Sequence, residues 1–380
     1  MTTTALIVAA GQGSRVGGGL PKQYQLLGGK PVLRRAVEAL IGHPSIARVR
    51  VVIASGQEGL AREALSGLDV GDFIEGGAER ADSVRAGLAQ AEGEAVLVHD
   101  AARPFCPPDV IDRLLAPLEF FDGAAPVLAV GDTLARASDR IEDAVDRSGL
   151  VRVQTPQAFR LDAIRSAYER WSGGAPTDET TVARAAGLKV AAVAGDPSLE
   201  KITTAADFAR AGQWLQSQMI PRTGFGFDVH AFAGEGPVMM GGIAVPHPRG
   251  LAGHSDADVV LHAITDALLG AAGLGDIGEH FPPSDQQWKG AQSHIFLAHA
   301  ASLLRDRGGI VDHVDCTIIC EEPKVGPHRL EMKRRVAAIL QLDEEQVSIK
   351  ATTTEGLGFT GRREGIAAQA VASIRMERAR

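Results

Sequence analysis

A chain of 380 residues exceeds what one hydrophobic core ordinarily supports, so its length predicts two domains. With 45% hydrophobic and 23% charged residues the composition excludes a largely disordered protein, and 44 glycines predict many tight turns and close backbone approaches. The formal charge of −8 argues against a broad Lys/Arg surface that coats nucleic acid, and neither a basic leader nor about 18 consecutive apolar residues occurs, so the expectation is a cytoplasmic protein bound to neither nucleic acid nor membrane.

In chain order, buried-looking strands come first: ALIVAA, VRVVIA, AVLVHD, APVLAV and KVAAVA, alternating with helical stretches such as PVLRRAVEALIG and RADSVRAGLAQA. That alternation predicts an α/β, Rossmann-like domain: a mostly parallel sheet covered by helices, with ligands at the carboxyl ends of its strands. The first strand runs into GQGSRVGGGLPKQY, a glycine-rich turn whose backbone N–H groups suit an anion. It is not the dinucleotide fingerprint, because Val16 stands where glycine is needed and VVIAS closes the second strand with Ser55 instead of an acid. Arg15 and Lys22 are spaced to wrap a triphosphate, although taken alone they read equally well as solvated surface charges.

Four further stretches tip the balance. AVLVHDAARPF puts Asp100 at a strand end, where a carboxylate can hold Mg²⁺ against phosphates, with Arg103 close behind. GGAERADSVRAGL offers Gly76, Gly77 and Ser83 as a polar rim, while VQTPQAF and LEKITT add Thr155 and Lys201. In AAGQGSR, PKQY, GGAERADSV, HDAARP, VQTPQAF and TDET the first 215 or so residues resemble the 2-C-methyl-D-erythritol 4-phosphate cytidylyltransferases. The resemblance implies transfer of CMP from CTP to methylerythritol phosphate with release of pyrophosphate. Arg15 and Lys22 would stabilise the transition state and Asp100 would place Mg²⁺. Cytosine would lie near Ala10, Gly11, Gly77 and Ser83. Thr133, Arg147, Thr155 and Lys201 would hold the methylerythritol phosphate, partly across a dimer partner, and Arg103 would be a further substrate-binding residue. Ala78 stands where the family commonly has an acid.

A helix through AADFARAGQWLQSQM follows, with Pro221 expected to interrupt it and IPRTG expected to be a short connector. The predicted division is therefore 1–220 and 221–380. In TGFGFDVHAF, Asp228 and His230 share one face of a strand, because the side-chain period is two. A zinc site needs a third ligand, for which spacing alone offers both His254 and His262. In SDADVVLHAITDALLGAAG, Asp258, His262 and Asp266 recur at i, i+4 as a polar helical stripe in which a carboxylate can orient the imidazole. Cys106, Cys316 and Cys320 are too few and scattered for a disulfide framework and read as core residues.

GFDVHAF, GLAGHSDADVVLHAITDALLGAAGLGDIGEHFP, CTIIC with EEPKVGPH, and KATTTEGLGFTGR closely resemble the 2-C-methyl-D-erythritol 2,4-cyclodiphosphate synthases over residues 222 to 380. That resemblance implies an α+β domain in which Asp228, His230 and His262 bind Zn²⁺ or another divalent ion. His254 and Thr353 would act on the reacting phosphate, and Glu355 would carry a second divalent ion, Mg²⁺, on the diphosphate. Asp276, Ile277, Gly278, Phe281 and Asp285 would border the methylerythritol part, and Pro323, Lys324, Val325 and Gly326 with Thr352 the cytidine. Phe227, Phe359 and Arg362 would line the cavity of a homotrimer, beside which Glu321, Glu322 and Arg363 depart from the pattern.

The two resemblances together imply a bifunctional isoprenoid-precursor enzyme whose steps flank that of a kinase, with dimerising first and trimerising second domains able to close a hexamer. The alternative is a sugar-phosphate nucleotidyltransferase followed by a metal-binding regulatory or trimerisation module.

Overall fold

A computed structural model describes residues 1–11, 19–282 and 284–377. The chain divides into two compact units, Met1–Gln213 and Trp214–Arg380. In the first, an eight-stranded sheet runs Val151–Val153, Gly123–Ala129, Gln157–Arg160, Ala95–Asp100, Thr3–Ala9, Ile46–Ile53 and Ile74–Glu75, with Val190–Ala194 pairing with Gly123–Ala129. Thr3–Ala9 lies parallel to both of its neighbours, and Gln157–Arg160 is inserted antiparallel. Alternate residues of one strand enter opposite cores: Ala5, Ile7 and Leu97 pack on one face, and Leu6, Val96 and Val98 on the other. A strand buried on both faces must read as a continuous apolar run, which is why ALIVAA and AVLV show no alternation. Helices Val32–Ile41 and Pro108–Leu115 cover the first face, and Arg80–Gln90 and Leu161–Arg170 the second.

The second unit holds a five-stranded sheet ordered Gly250–Leu251, Met219–Ala233, Gly365–Glu377, Ile310–Ile319 and Val347–Thr352. Its pairs are antiparallel except the last, Ile310–Ile319 with Val347–Thr352. The connector expected at IPRTG is strand: Met219–Ala233 already includes Pro221, opposite Arg375. Proline is accommodated because that end of the strand pairs on one side only, the Gly250–Leu251 strand reaching it at Phe232 and Ala233.

Helix Val259–Ala272 lies on this sheet, almost every residue buried, and ends on Gly273 in the left-handed region at φ 67°. A Cβ on Gly224 would fall 2.0 Å from the carbonyl oxygen of Ala267, and one on Gly226 2.0 Å from that of Ala263. Only glycine allows the helix to sit that close, which accounts for half of the G-F-G-F alternation. The other half faces outward: Phe225 is 62% and Phe227 50% exposed.

Candidate active sites

In the first unit, the carboxyl ends of Thr3–Ala9 and Ala95–Asp100 meet the turn before helix Arg80–Gln90 around a cavity of about 670 Å³. Ala10, Gly11, Lys22, Gly77, Ser83, Asp100 and Lys201 all line it. The rim glycines are required: a Cβ on Gly76 would meet Ala10 and Ser83 at 2.6 Å, and one on Gly77 would meet Asp82 at 2.3 Å. Arg15 lies outside the described residues.

Asp100 is held by cations of the protein itself. Arg80 Nε donates to Asp100 Oδ1 at 2.9 Å and Lys201 Nζ to Asp100 Oδ2 at 2.8 Å. Burial works to raise this carboxyl, yet the charges of Arg80 and Lys201 outweigh it and hold it well below the usual carboxylate range. Arg80 in turn reaches both oxygens of the fully buried Glu179, at 2.6 and 3.1 Å, and Tyr168 donates to Glu179 at 3.3 Å. Arg80 and Glu179 are unassigned by the sequence reading, although both lie within quoted motifs, GGAERADSV and TDET. The missed signal is an arginine and a glutamate in one cleft-forming pair of motifs.

Beneath the cradle, His99 Nε2 donates to the Arg103 carbonyl at 2.9 Å, so its Nδ1 accepts from Thr155 Oγ1 at 3.3 Å. Thr155 Oγ1 accepts from the Asp100 N–H at 3.1 Å. Burial pushes His99 down to about 4, leaving it neutral. Arg103 directs its guanidinium to the Leu199 carbonyl and does not line the cradle. Thr133 and Arg147 are likewise apart from it, flanking the exposed hairpin Leu134–Ala137 and Ile141–Val145.

The second unit gathers a different set. Asp228 Oδ2 lies 2.9 Å from His230 Nε2 and 2.9 Å from His262 Nδ1, and those two nitrogens are 3.2 Å apart. One carboxylate oxygen and two imidazole nitrogens converging this closely form a donor set suited to a divalent transition ion. His230 Nδ1 donates to the Ala252 carbonyl at 2.7 Å, which leaves its Nε2 to face the cluster. Burial works to raise Asp228, but the bonds from His230 and His262 outweigh it and hold the carboxyl below its usual range.

The converging histidine is His262, while His254 is exposed and, among the described residues, bonds only through its carbonyl, to the Gly290 N–H at 2.7 Å. The stripe Asp258, His262, Asp266 does not orient the imidazole. Asp258 is the buried N-cap of the helix, accepting from Val260, Leu261, Gly241 and Gly242, and Asp266 accepts from the Ile277 N–H at 2.8 Å. The helix starts at Val259, so the first member of the stripe lies outside it.

Of the other second-unit residues that the sequence singles out, Asp276 caps the short helix Ile277–His280, which holds Gly278, and Asp285 caps the turn Gln286–Trp288. Phe281 is buried against Trp288 and Phe296. Thr353 Oγ1 donates to Glu355 at 2.6 Å, with Glu355 at φ 54° and exposed. Glu321 Oε1 accepts from Thr354 and Gly356, at 3.2 and 3.3 Å, and so braces that turn. Thr352 is exposed at the end of its strand, opposite Ile319, and Pro323 to Gly326 follow Cys320, with Val325 buried. Arg362 pairs with Glu364, Arg363 with Glu322, and Phe359 is exposed.

A cradle for phosphates at the strand ends of one unit and a carboxylate–imidazole metal cluster in the other define a two-site enzyme of nucleotide and phosphate chemistry. Residues 3–217 match the family of 2-C-methyl-D-erythritol 4-phosphate cytidylyltransferase, and residues 221–375 match the YgbB family. The chain is similar to the bifunctional enzyme IspD/IspF of Rhizorhabdus wittichii, 60% identical over 98% of this chain and 97% of that protein. It is also similar to its namesake in Rhodospirillum rubrum, 52% identical over 97% of this chain and 98% of that one. A solved bifunctional IspDF from Campylobacter jejuni is 31% identical with a TM-score of 0.49, covering 99% of each chain. The protein belongs to the family of bifunctional IspD/IspF enzymes of isoprenoid biosynthesis, with a cytidylyltransferase and a cyclodiphosphate synthase in one chain.

Proposed function

We propose that the cytidylyltransferase domain spans residues 1–220 and the cyclodiphosphate synthase domain 221–380, and that each acts on the substrate its chemistry fits. In the first, a phosphate oxygen of 2-C-methyl-D-erythritol 4-phosphate attacks the α-phosphorus of CTP, and the bond to the β-phosphate breaks as pyrophosphate leaves. Phosphoryl-group chemistry of this kind needs charge placed on non-bridging oxygens more than covalent catalysis. Lys22 and Arg15 supply that charge, Gly77 and Ser83 with Ala10 and Gly11 receive the base, and Lys201 faces the sugar phosphate, with Thr155 underneath bonded to the Asp100 N–H. Asp100 would hold the Mg²⁺ that accompanies CTP, which would supply further positive charge to the phosphates. Thr133 and Arg147 complete the sugar-phosphate side through a partner's exposed hairpin, while Arg103 supports the cradle from behind through the Leu199 carbonyl.

In the second domain Asp228, His230 and His262 hold Zn²⁺, a Lewis acid for the diphosphate when bound. The 2-phosphate of CDP-methylerythritol 2-phosphate attacks its own β-phosphorus and CMP leaves; holding both phosphates in one geometry is most of the task. His254 and Thr353 stabilise the charge that develops, and Glu355 carries the second divalent ion, Mg²⁺. Asp276 to Gly278, with Phe281 and Asp285, border the methylerythritol part, and Thr352 with Pro323 to Gly326 the cytidine. The exposed apolar sheet face bearing Phe225, Phe227 and Val229 supports a homotrimer, with Phe359 and Arg362 toward its axis. First-domain dimers would close such trimers into a hexamer. Among the described residues no helix is long and apolar enough to cross a membrane, which fits a cytoplasmic enzyme working before and after a kinase.

The observation that carries this reading is the convergence of Asp228, His230 and His262 in a chain that also forms the Lys22–Asp100–Lys201 cradle. The full-length protein should release pyrophosphate from CTP only with methylerythritol phosphate, and CMP from CDP-methylerythritol 2-phosphate, with both reactions silenced by a chelator. Either product failing to appear in the uninhibited protein would refute the assignment for that domain.

A further inference from the structure

Ser293 stands at the N-cap of helix His294–Asp306, yet its hydroxyl gives no bond to the first helical turn. A serine there normally satisfies one of the free N–H groups of the first turn. The hydroxyl is engaged elsewhere. It contacts the Asp256 carboxylate, which can only accept, so Ser293 Oγ is the donor in that pair. The Ser293 N–H also points at Asp256, 3.2 Å from each carboxylate oxygen, so both polar groups of the residue are pinned to one partner.

His262 Nε2 lies 2.8 Å from the same Ser293 oxygen. With its proton committed to Asp256, that oxygen accepts from the imidazole. Asp228 can likewise only accept and lies 2.9 Å from Nδ1, so Nδ1 gives up its proton when a metal ion takes its place. With an ion held, the polarity is fixed: His262 carries its proton on Nε2 and turns the lone pair of Nδ1 to the metal. Ser255 Oγ is the other neighbour of Nε2, at 3.1 Å; it receives the Ala257 N–H at 3.2 Å, and Ser293 Oγ, 3.4 Å away, can take its own proton, so among the described residues only Ser293 is held by a carboxylate in this group. His230 is set the opposite way round, through Nδ1 on the Ala252 carbonyl.

We propose that Ser293, backed by Asp256, is a positioning residue for the metal centre: it fixes the tautomer and ring orientation of His262. Resting on the assignment of Asp228, His230 and His262 as metal ligands, it adds a carboxylate–hydroxyl–imidazole relay behind the third of them. Outer partners of this kind typically contribute about 10- to 100-fold in metal affinity. The relay also ties the cluster to the segment before Ser293, because the Asp256 N–H donates to the Ala291 carbonyl at 3.0 Å and Gly290 donates to His254.

The test is competition titration of the full-length, metal-stripped protein with Zn²⁺ against a chromophoric chelator. Ser293→Ala should bind Zn²⁺ about 10- to 100-fold more weakly, with the melting temperature of the metal-free protein unchanged. Ser255→Ala should lose several-fold less. Equal Zn²⁺ affinity in Ser293→Ala and the parent overturns the proposal, as does a larger loss in Ser255→Ala. A parent that takes up no Zn²⁺ refutes the metal assignment itself, which separates the two failures. Should Ser293→Ala not fold, the ¹⁵N imidazole spectrum of the Zn²⁺-loaded parent decides. A slowly exchanging proton on His262 Nε2 is expected; ligation through Nε2, or rapid exchange there, overturns the relay.

Discussion

Both sites are built around an aspartate on a strand, and the partners of that aspartate set them apart. Asp100 has each oxygen bonded to a permanent cation, Arg80 or Lys201, whereas Asp228 faces two imidazoles that can release a proton. The first arrangement is a positively framed cleft that welcomes anions; the second is a donor set that a metal completes. A carboxylate therefore acquires its role from whether its neighbours can give up their charge.

The sharpest way to break this contrast is to remove a donor from the second site. Asp228→Asn should abolish stoichiometric Zn²⁺ in elemental analysis and lower CMP release by at least about 1,000-fold, since two imidazoles alone do not make a catalytic zinc site. Pyrophosphate release should be unaffected. Lys22→Met should do the converse, lowering pyrophosphate release by about 100- to 1,000-fold with CMP release intact, as expected when one charge-stabilising donor is lost.

Glu179→Gln probes the scaffold behind Asp100. It removes one of the two buried carboxylates that Arg80 pairs with, leaving only Asp100, and a loss of that kind costs up to about 3–5 kcal/mol. Thermal unfolding of the first domain should shift down while Zn²⁺ binding in the second stays constant. Gly226→Ala is the matching probe for the second unit, where the added methyl forces helix and strand apart at about 1–3 kcal/mol and weakens Zn²⁺ uptake as well.

The smallest effect separates the histidines. His99 is buried and lowered to about 4 from 6.5, so between those values the unfolded chain holds a proton that the native imidazole refuses. Its contribution is present above the unfolded value and is lost as pH falls, amounting to about 1 kcal/mol at about pH 5.5. Urea titrations from about pH 7 to about pH 5 should show that slope in the parent and a shallower one in His99→Asn.

Much of this architecture was legible before any coordinates. Apolar runs without alternation announced strands buried on both faces, and the Asp-x-His spacing placed two donors on one side of a strand. What escaped was contact across long stretches of chain. Arg80 meets Glu179 from 99 residues away, and Ser293 meets His262 from 31, separations at which periodicity carries no information. Two local readings failed for local reasons: Pro221 is tolerated on a half-paired strand, and Asp258 falls one residue outside the helix whose stripe it was assigned to. Choosing His262 over His254 needed either the family pattern or the fold, since both histidines lie within reach along the sequence.

The glycines of G-F-G-F-D-V-H have a further consequence. Two of the three converging donors ride on the strand and the third on the helix, and at Gly224 and Gly226 these elements touch main chain to main chain, with no side-chain layer between them. The spacing of the donors is thus calibrated by peptide groups, whose dimensions evolution cannot alter. Drift in the surrounding apolar residues can change how firmly this domain holds together and still leave its metal gauge unmoved.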